Sequence, residues 1–171
     1  MPQTYVSNQA QQKLLVDATA FIALFDPRDQ YHEQAINFRD SFILRYDIQL
    51  FTSNYVHAEV MSHLTHLPVE VLRQVDKLIR APQARDPFKI KQLQVDPATV
   101  EKAIRIYLEY IEQDFSITDC TCFILMQENR IAAAFTFDDD YKIYIYRQGR
   151  QKMGFWKLPE MLDSYMAAVF V

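Results

Sequence analysis

Glycine is nearly missing from this chain. Two glycines occur in 171 residues, where average usage would give roughly 12. Gly-x-Gly-x-x-Gly and Walker A loops are therefore arithmetically absent, which excludes dinucleotide and P-loop chemistry of those kinds. Cysteine is equally scarce, with Cys120 and Cys122 the only two. A closed zinc site needs four ligands, and the four histidines do not fall beside these cysteines in a finger-like spacing. The expectation is two reduced, buried thiols in a cytoplasmic protein. Apolar runs such as Met166 to Val171 are far too short to span a bilayer. The first residues, MPQTYVSNQAQQK, are polar and lack the apolar centre of a signal peptide. There is no positive excess either: the formal net charge is -4, which excludes a general polyanion binder.

What is present is apolar mass. Half of the residues are hydrophobic and 13% are aromatic, enough for one sizeable core and too much for a disordered chain. Residues 1–12 read as a flexible N-terminal arm. LLVD (14–17) is a short apolar run ending in an acid, a buried strand. TAFIALF (19–25) follows as a helix with Thr19 as its cap, then DPRD (26–29) as a turn. Helical spacing resumes from Gln30 to about Arg45. IQLFTS (48–53) is a second strand, and helices follow at 54–67, capped by Asn54, and at 68–81, with Pro68 at the first position. FKIKQLQV (88–95) alternates as a half-exposed strand. Helices at 97–113 and at 118–129, the latter opened by Thr118, precede an apolar strand, IAAAFTF (131–137). IYIYRQ (143–148) and GFWKL (154–158) are candidate edge strands. Strands alternating with helices predict an α/β domain around a mostly parallel sheet.

In such sheets ligands bind beyond the carboxyl ends of the strands. Asp17 ends the first strand, Asp138 follows a later one, and Asp119 lies in the first turn of a helix. Each has an ordinary structural role open to it, as helix cap, turn residue or dipole partner. Glu59 lies mid-helix between Val56 and Val60, on or beside an apolar face, where an acid is costly to bury without a cation. If these four converge, they repel one another and call for a metal. Hard oxygen ligands suit Mg²⁺ or Mn²⁺, and a carboxylate-held divalent ion suits phosphodiester hydrolysis.

The segments LLVDATAFIALFD (14–26), TSNYVHAEV (52–60), SITDCTCFILMQEN (116–129) and AFTFDDDY (134–141), in that order and at those intervals, resemble the PIN-domain ribonucleases, especially VapC-like toxins of toxin–antitoxin pairs. The resemblance implies a three-layer α/β sandwich with a mostly parallel central sheet over residues 13–158, leaving 159–171 as a C-terminal extension. It implies Mg²⁺- or Mn²⁺-dependent endonucleolytic cleavage of single-stranded RNA, leaving 3′-hydroxyl and 5′-phosphate ends. It also implies a cognate antitoxin as partner, and a homodimer. Position by position, Asp17, Glu59, Asp119 and Asp138 match the family's four metal-binding acids. Asp138 falls in a Thr-x-Asp element, Thr136-Phe137-Asp138. Thr19 matches the small hydroxyl residue that orients water at the metal. The run Asp138, Asp139, Asp140 leaves open which of the three is the fourth ligand.

Other features carry less. His63, four residues after Glu59, has metal-pair spacing, though a partly buried histidine paired with a neighbour is the plainer reading. His57 and His66 have no evident partner. From Tyr141 to Lys157 there are five cations and no acid: Lys142, Arg147, Arg150, Lys152 and Lys157. Tyr141, Tyr144, Tyr146, Phe155 and Trp156 interleave with them. Arg147, Arg150 and Lys152 are candidate RNA contacts, with aromatics to stack on bases. The alternative is an edge hairpin whose aromatics pack inward. Two other functions remain to compare: a non-catalytic module of the same fold, and a phosphotransfer domain. The latter wants adjacent acids or Asp-x-Asp at the first strand end, and this chain has Val-Asp-Ala-Thr.

Overall fold

The computed structural model describes residues 12–81 and 89–170. The expected N-terminal arm thus lies almost wholly outside the described residues, as does Phe88 at the start of the third predicted strand.

Five strands form the central sheet: β1 (Gln12–Val16), β2 (Ile48–Ser53), β3 (Ile90–Leu93), β4 (Ala133–Phe135) and β7 (Trp156–Leu158). Their order is β3-β2-β1-β4-β7, and every pairing is parallel. The apolar runs in β1 and β4 are what a parallel strand covered on both faces requires. Leu14, Leu15, Val16, Ala133, Ala134 and Phe135 are all buried. A smaller antiparallel pair, β5 (Tyr146–Gln148) and β6 (Gln151–Met153), stands apart from this sheet. It turns through Gly149 at φ +62°, the conformation a two-residue hairpin loop demands and glycine supplies freely.

The helices are α1 (Ala18–Phe25), α2 (His32–Phe38), α3 (Asn54–His63), α4 (Val69–Arg80), α5 (Pro97–Glu109), α6 (Ile117–Glu128), α7 (Asp140–Ile143) and α8 (Leu162–Val169). The helix expected from Gln30 to Arg45 is split, with a π-helical turn at Arg39–Ile43 completing α2. Four helix starts differ from expectation. Thr19 is inside α1, and Asp17 takes the N-cap position. Ser53, not Asn54, caps α3 by accepting from the Val56 N–H at 3.1 Å, while Asn54 Oδ1 accepts from the Val95 N–H. Ser116, not Thr118, opens α6. Pro68 precedes α4 as its N-cap rather than its first residue. The second candidate edge strand is one: Trp156–Leu158 forms the edge of the central sheet, hydrogen-bonded beside β4.

The core joins both ends of the chain. Tyr165 of α8 is buried, and its hydroxyl donates to Gln12 Oε1 at 2.8 Å. Around Phe123 the rings of Phe115, Tyr141, Tyr144 and Phe155 pack within 4.3–6.1 Å. None of the helices among the described residues is long and apolar enough to cross a membrane.

The strand order has one consequence for function. From β1 the chain moves outward through β2 and β3, then returns to place β4 on the other side of β1. The gap between the carboxyl ends of β1 and β4 is the sheet's topological switch point, where a crevice opens.

Candidate metal centre

Asp17 and Asp138 both lie at that crevice. The Asp17 N–H donates to Phe135 O at 3.0 Å, which continues the β1–β4 ladder to the edge of the sheet. Although Asp17 occupies the N-cap position of α1, its carboxylate makes no capping bond. Instead Asp17 Oδ2 accepts from the hydroxyls of Thr136 at 2.9 Å and Thr19 at 3.1 Å. The Thr19 oxygen also accepts from the Phe137 N–H at 3.0 Å, and the Thr136 oxygen from the Asp138 N–H at 3.0 Å. The two hydroxyls thus lock Asp17 to the segment that carries Asp138. The Thr19 hydroxyl, expected to orient water, is committed to this network. Thr136 is a positioning residue not foreseen beyond its place in the motif. Its signal was its position two residues before Asp138.

Asp119 arrives through a capping box. The Ser116 Oγ accepts from the Asp119 N–H at 3.0 Å, and Asp119 Oδ2 accepts from the Ser116 N–H at 2.9 Å and from its hydroxyl. The cap fixes the side chain of Asp119 while leaving it inside the crevice, 8% exposed.

The three consecutive acids separate cleanly. One carboxylate oxygen each from Asp119, Asp138 and Asp140 lies within 4.8 Å of the others. Asp139 faces elsewhere. Lys157 Nζ donates to Asp139 at 2.6 Å, and Lys142 Nζ lies 2.9 Å from it, holding its carboxyl down at about 2. Both lysines also reach Glu160 at 2.7 Å. Lys157, only 6% exposed, is a buried cross-link rather than a free cation.

Electrostatics mark the cluster as crowded with negative charge. Burial pushes the Asp119 carboxyl up to about 8, reinforced by the charges of Asp17 and Asp138. Burial also raises Asp140 to about 6, with Asp138 and Asp17 adding to the shift. Asp17 is raised chiefly by burial, and the charge of Glu59 adds to it. Each carboxylate that ionises here makes ionising its neighbours more costly, and a cation relieves that cost. The lysines nearest in sequence are paired with Asp139 and Glu160 instead. Converging hard oxygen donors therefore fit a divalent ion of the Mg²⁺ or Mn²⁺ type.

Glu59 is placed differently from the sequence argument. Val56 and Val60 take the buried positions of α3, and Glu59 is exposed. No buried charge needs compensating there. It stands at the rim, close enough for its charge to act on Asp17.

The basic tail also resolves. Tyr141, Tyr144, Phe155 and Trp156 are buried core residues, not a stacking surface. Arg147, Arg150 and Lys152 are exposed on the β5–β6 hairpin, with Arg147 opposite Lys152 in register. His63 is exposed. His66 does have a partner, with Nε2 2.7 Å from Asp26 Oδ2, and His57 Nε2 lies 3.1 Å from Asp76. Cys120 and Cys122 are free and buried.

The family model for the PIN domain matches residues 14–145, the span that contains every acid of the crevice. The chain belongs to the PIN domain family. PIN domains are generally nucleases that use divalent metals. Among solved structures, this PIN domain is similar to VapC20 of Mycobacterium tuberculosis, a Sarcin-Ricin loop cleaving toxin. The identity is 21% and the TM-score 0.65, over 76% of this chain and 93% of that one. PAE2754 from Pyrobaculum aerophilum matches at 16% identity and TM-score 0.50, over 94% and 99%. FitAcB from Neisseria gonorrhoeae matches at 17% identity and TM-score 0.49, over 74% and 88%. At these identities the likeness to VapC20 and PAE2754 shows the fold alone. No curated protein sequence matches.

Proposed function

We propose that this PIN domain is a metal-dependent endoribonuclease that hydrolyses phosphodiester bonds of single-stranded RNA, as the toxin of a toxin–antitoxin pair. The observation that carries this reading is the convergence of Asp119, Asp138 and Asp140 within 4.8 Å at the sheet's switch point, with Asp17 locked behind them. Asp17, Asp119 and Asp138, joined by Asp140, would hold the Mg²⁺ or Mn²⁺, with Glu59 at the rim acting through water. A bound ion supplies an activated water near neutral pH and charge stabilisation for the leaving oxygen. The protein's own residues orient the donors. Ser116 fixes Asp119 through the capping box, while Thr19 and Thr136 fix Asp17. The crowded carboxylates remain partly protonated until the cation is bound.

The family, and the similar fold of VapC20, a Sarcin-Ricin loop cleaving toxin, support this substrate class. The exposed cations Arg147, Arg150 and Lys152 stand on a hairpin beside the end of α6 away from Asp119, where they would contact substrate phosphates distant from the crevice. An antitoxin would block the crevice by inserting a basic side chain among the acids. We further propose that the protein works in the cytoplasm as a homodimer, with residues 13–158 as the nuclease domain and 159–171 as an extension.

Asp17→Asn and Asp119→Asn should each abolish Mn²⁺-dependent cleavage of RNA while circular dichroism stays unchanged. Full activity in the purified double variant would overturn the assignment. Wild-type protein that binds Mn²⁺ yet cleaves no RNA across a broad panel would instead favour a non-catalytic PIN module.

A further inference from the structure

A chain of aromatic rings runs from the core to the surface beside the acid cluster. Phe38 meets Phe135 edge-on at 4.7 Å, and Phe135 meets Phe137 edge-on at 5.9 Å. Tyr31 lies flat against Phe137, centroids 4.5 Å apart and planes within 4°. Phe38 and Phe135 are core residues, whereas Tyr31 is 37% exposed. The outermost ring is thus held by a column anchored in the core, so it can receive a ligand with little loss of side-chain entropy.

The position of this column ties it to the chemistry. Phe137 stands between Thr136, which donates to Asp17, and Asp138, a member of the cluster. Its own N–H donates to Thr19. Tyr31, Phe137 and Gln34 line a groove of about 290 Å³ that also reaches Thr136. That volume is near the lower bound of small-molecule sites, roughly 300 Å³. The cations at the far side of the groove, Lys142 and Lys157, are matched by Asp139 and Glu160. The groove therefore offers aromatic surface and one amide, not net positive charge.

We propose that Tyr31, backed by Phe137, is the stacking platform for one unpaired nucleobase of the RNA, in the groove to which Asp139 turns and which reaches the crevice through Thr136. This rests on the reading of the protein as an RNA nuclease. Every base has a π-face, so the platform accepts any base. Gln34 adds a donor and an acceptor able to discriminate base edges. The platform holds the RNA by a base, whereas the exposed hairpin cations stand beside Gln127 and Arg130, at the end of α6 away from Asp119.

The test is binding of a fluorescent, unstructured RNA oligonucleotide to the intact protein in EDTA, where no cleavage intervenes. Tyr31→Ala should weaken binding about tenfold or more, the loss expected for one stacked base. Tyr31→Phe should bind as wild type does. The loss should be the same at low and high salt, as befits stacking, whereas phosphate contacts fade with salt. A Mn²⁺ titration by calorimetry should be unaltered in Tyr31→Ala, which shows that the site beside it remains folded. Equal RNA affinity in wild type and Tyr31→Ala, or no measurable RNA binding by wild type, overturns the platform. Cleavage is assayed in parallel with Mn²⁺. Cleavage with Tyr31-independent binding defeats the platform alone. Tyr31-dependent binding without cleavage supports the platform and defeats the nuclease reading.

Discussion

Asp119 concentrates the site's electrostatics in one side chain. Its carboxyl is raised to about 8 in the folded protein from an ordinary 3.8, and Asp140 is raised to about 6. A folded state that holds protons more tightly than the unfolded chain is most stable where those protons are bound. Metal-free protein should therefore be most stable near pH 4 with respect to these groups, and lose that stability as pH rises towards 8. A thermal-denaturation series in EDTA checks this. Added Mn²⁺ should raise the melting temperature more at pH 8 than at pH 5, because protons and metal compete for the same oxygens. Asp119→Asn keeps the capping acceptor but removes one charge. It should raise the metal-free melting temperature at pH 8 and abolish the Mn²⁺-induced gain. At this scale the sequence was partly legible. Asp17, Asp119 and Asp138 could be picked out because each stands at the end of a strand or the start of a helix. Asp140 could not be separated from Asp139, since both follow the same strand. Only the pairing of Asp139 with Lys157, distant in the chain, turned one inward and the other outward. The exposure of Glu59 was not legible, because the width of the buried face of α3 depends on what packs against it.

At the scale of elements, helix α6 shows how one residue serves two purposes. Ser116 caps the helix and holds the Asp119 carboxylate by the same pair of groups. Ser116→Ala should cost about 1 kcal/mol by urea denaturation, the usual value of an N-cap. It should also weaken Mn²⁺ binding by calorimetry, since Asp119 loses its orientation. The cap was mislocated in the sequence because Ser116 and Thr118 are both good caps, and helix propensity does not choose between neighbours two residues apart. The aromatic tail was harder still. Alternation in IYIYR fits both an exposed stacking strand and an inward-packed hairpin, and only burial of Tyr144 against Phe123, at 4.3 Å with planes within 2°, decides it. Phe123→Ala, which empties the centre of that cluster, should cost about 3–5 kcal/mol in chemical denaturation.

For the whole molecule, the parallel sheet and its switch point make stability and metal binding interdependent. The crevice exists only when β1 and β4 are paired, so the ion binds the folded state. Saturation at a hundredfold excess over its dissociation constant should add about 2.7 kcal/mol to unfolding stability. Denaturation with and without Mn²⁺ measures it directly, and Asp17→Asn should reduce the gain. The proposed homodimer is testable at the same scale. Ile104 and Leu108 of α5, and Ile111 in the 3-10 turn just beyond it, are large apolar residues left 39%, 62% and 52% exposed. Exposed apolar residues so close in the chain are what an interface between copies covers. Leu108→Glu should shift a dimer to monomer in sedimentation velocity without loss of helical signal.

The sequence by itself determined that this is an α/β domain with a parallel sheet, since uninterrupted apolar strands alternating with amphipathic helices have no other way to bury their surface. It also determined which chemistry was open, since near-absence of glycine removed phosphate-cradling loops and left carboxylates at strand ends. Tertiary structure alone decided which carboxylates meet. That choice depends on strand order, on the hydroxyls of Thr19 and Thr136 bridging segments more than a hundred residues apart, and on Lys157 drawing Asp139 out of the crevice. These are contacts between distant parts of the chain, and local patterns of hydrophobicity carry no record of them.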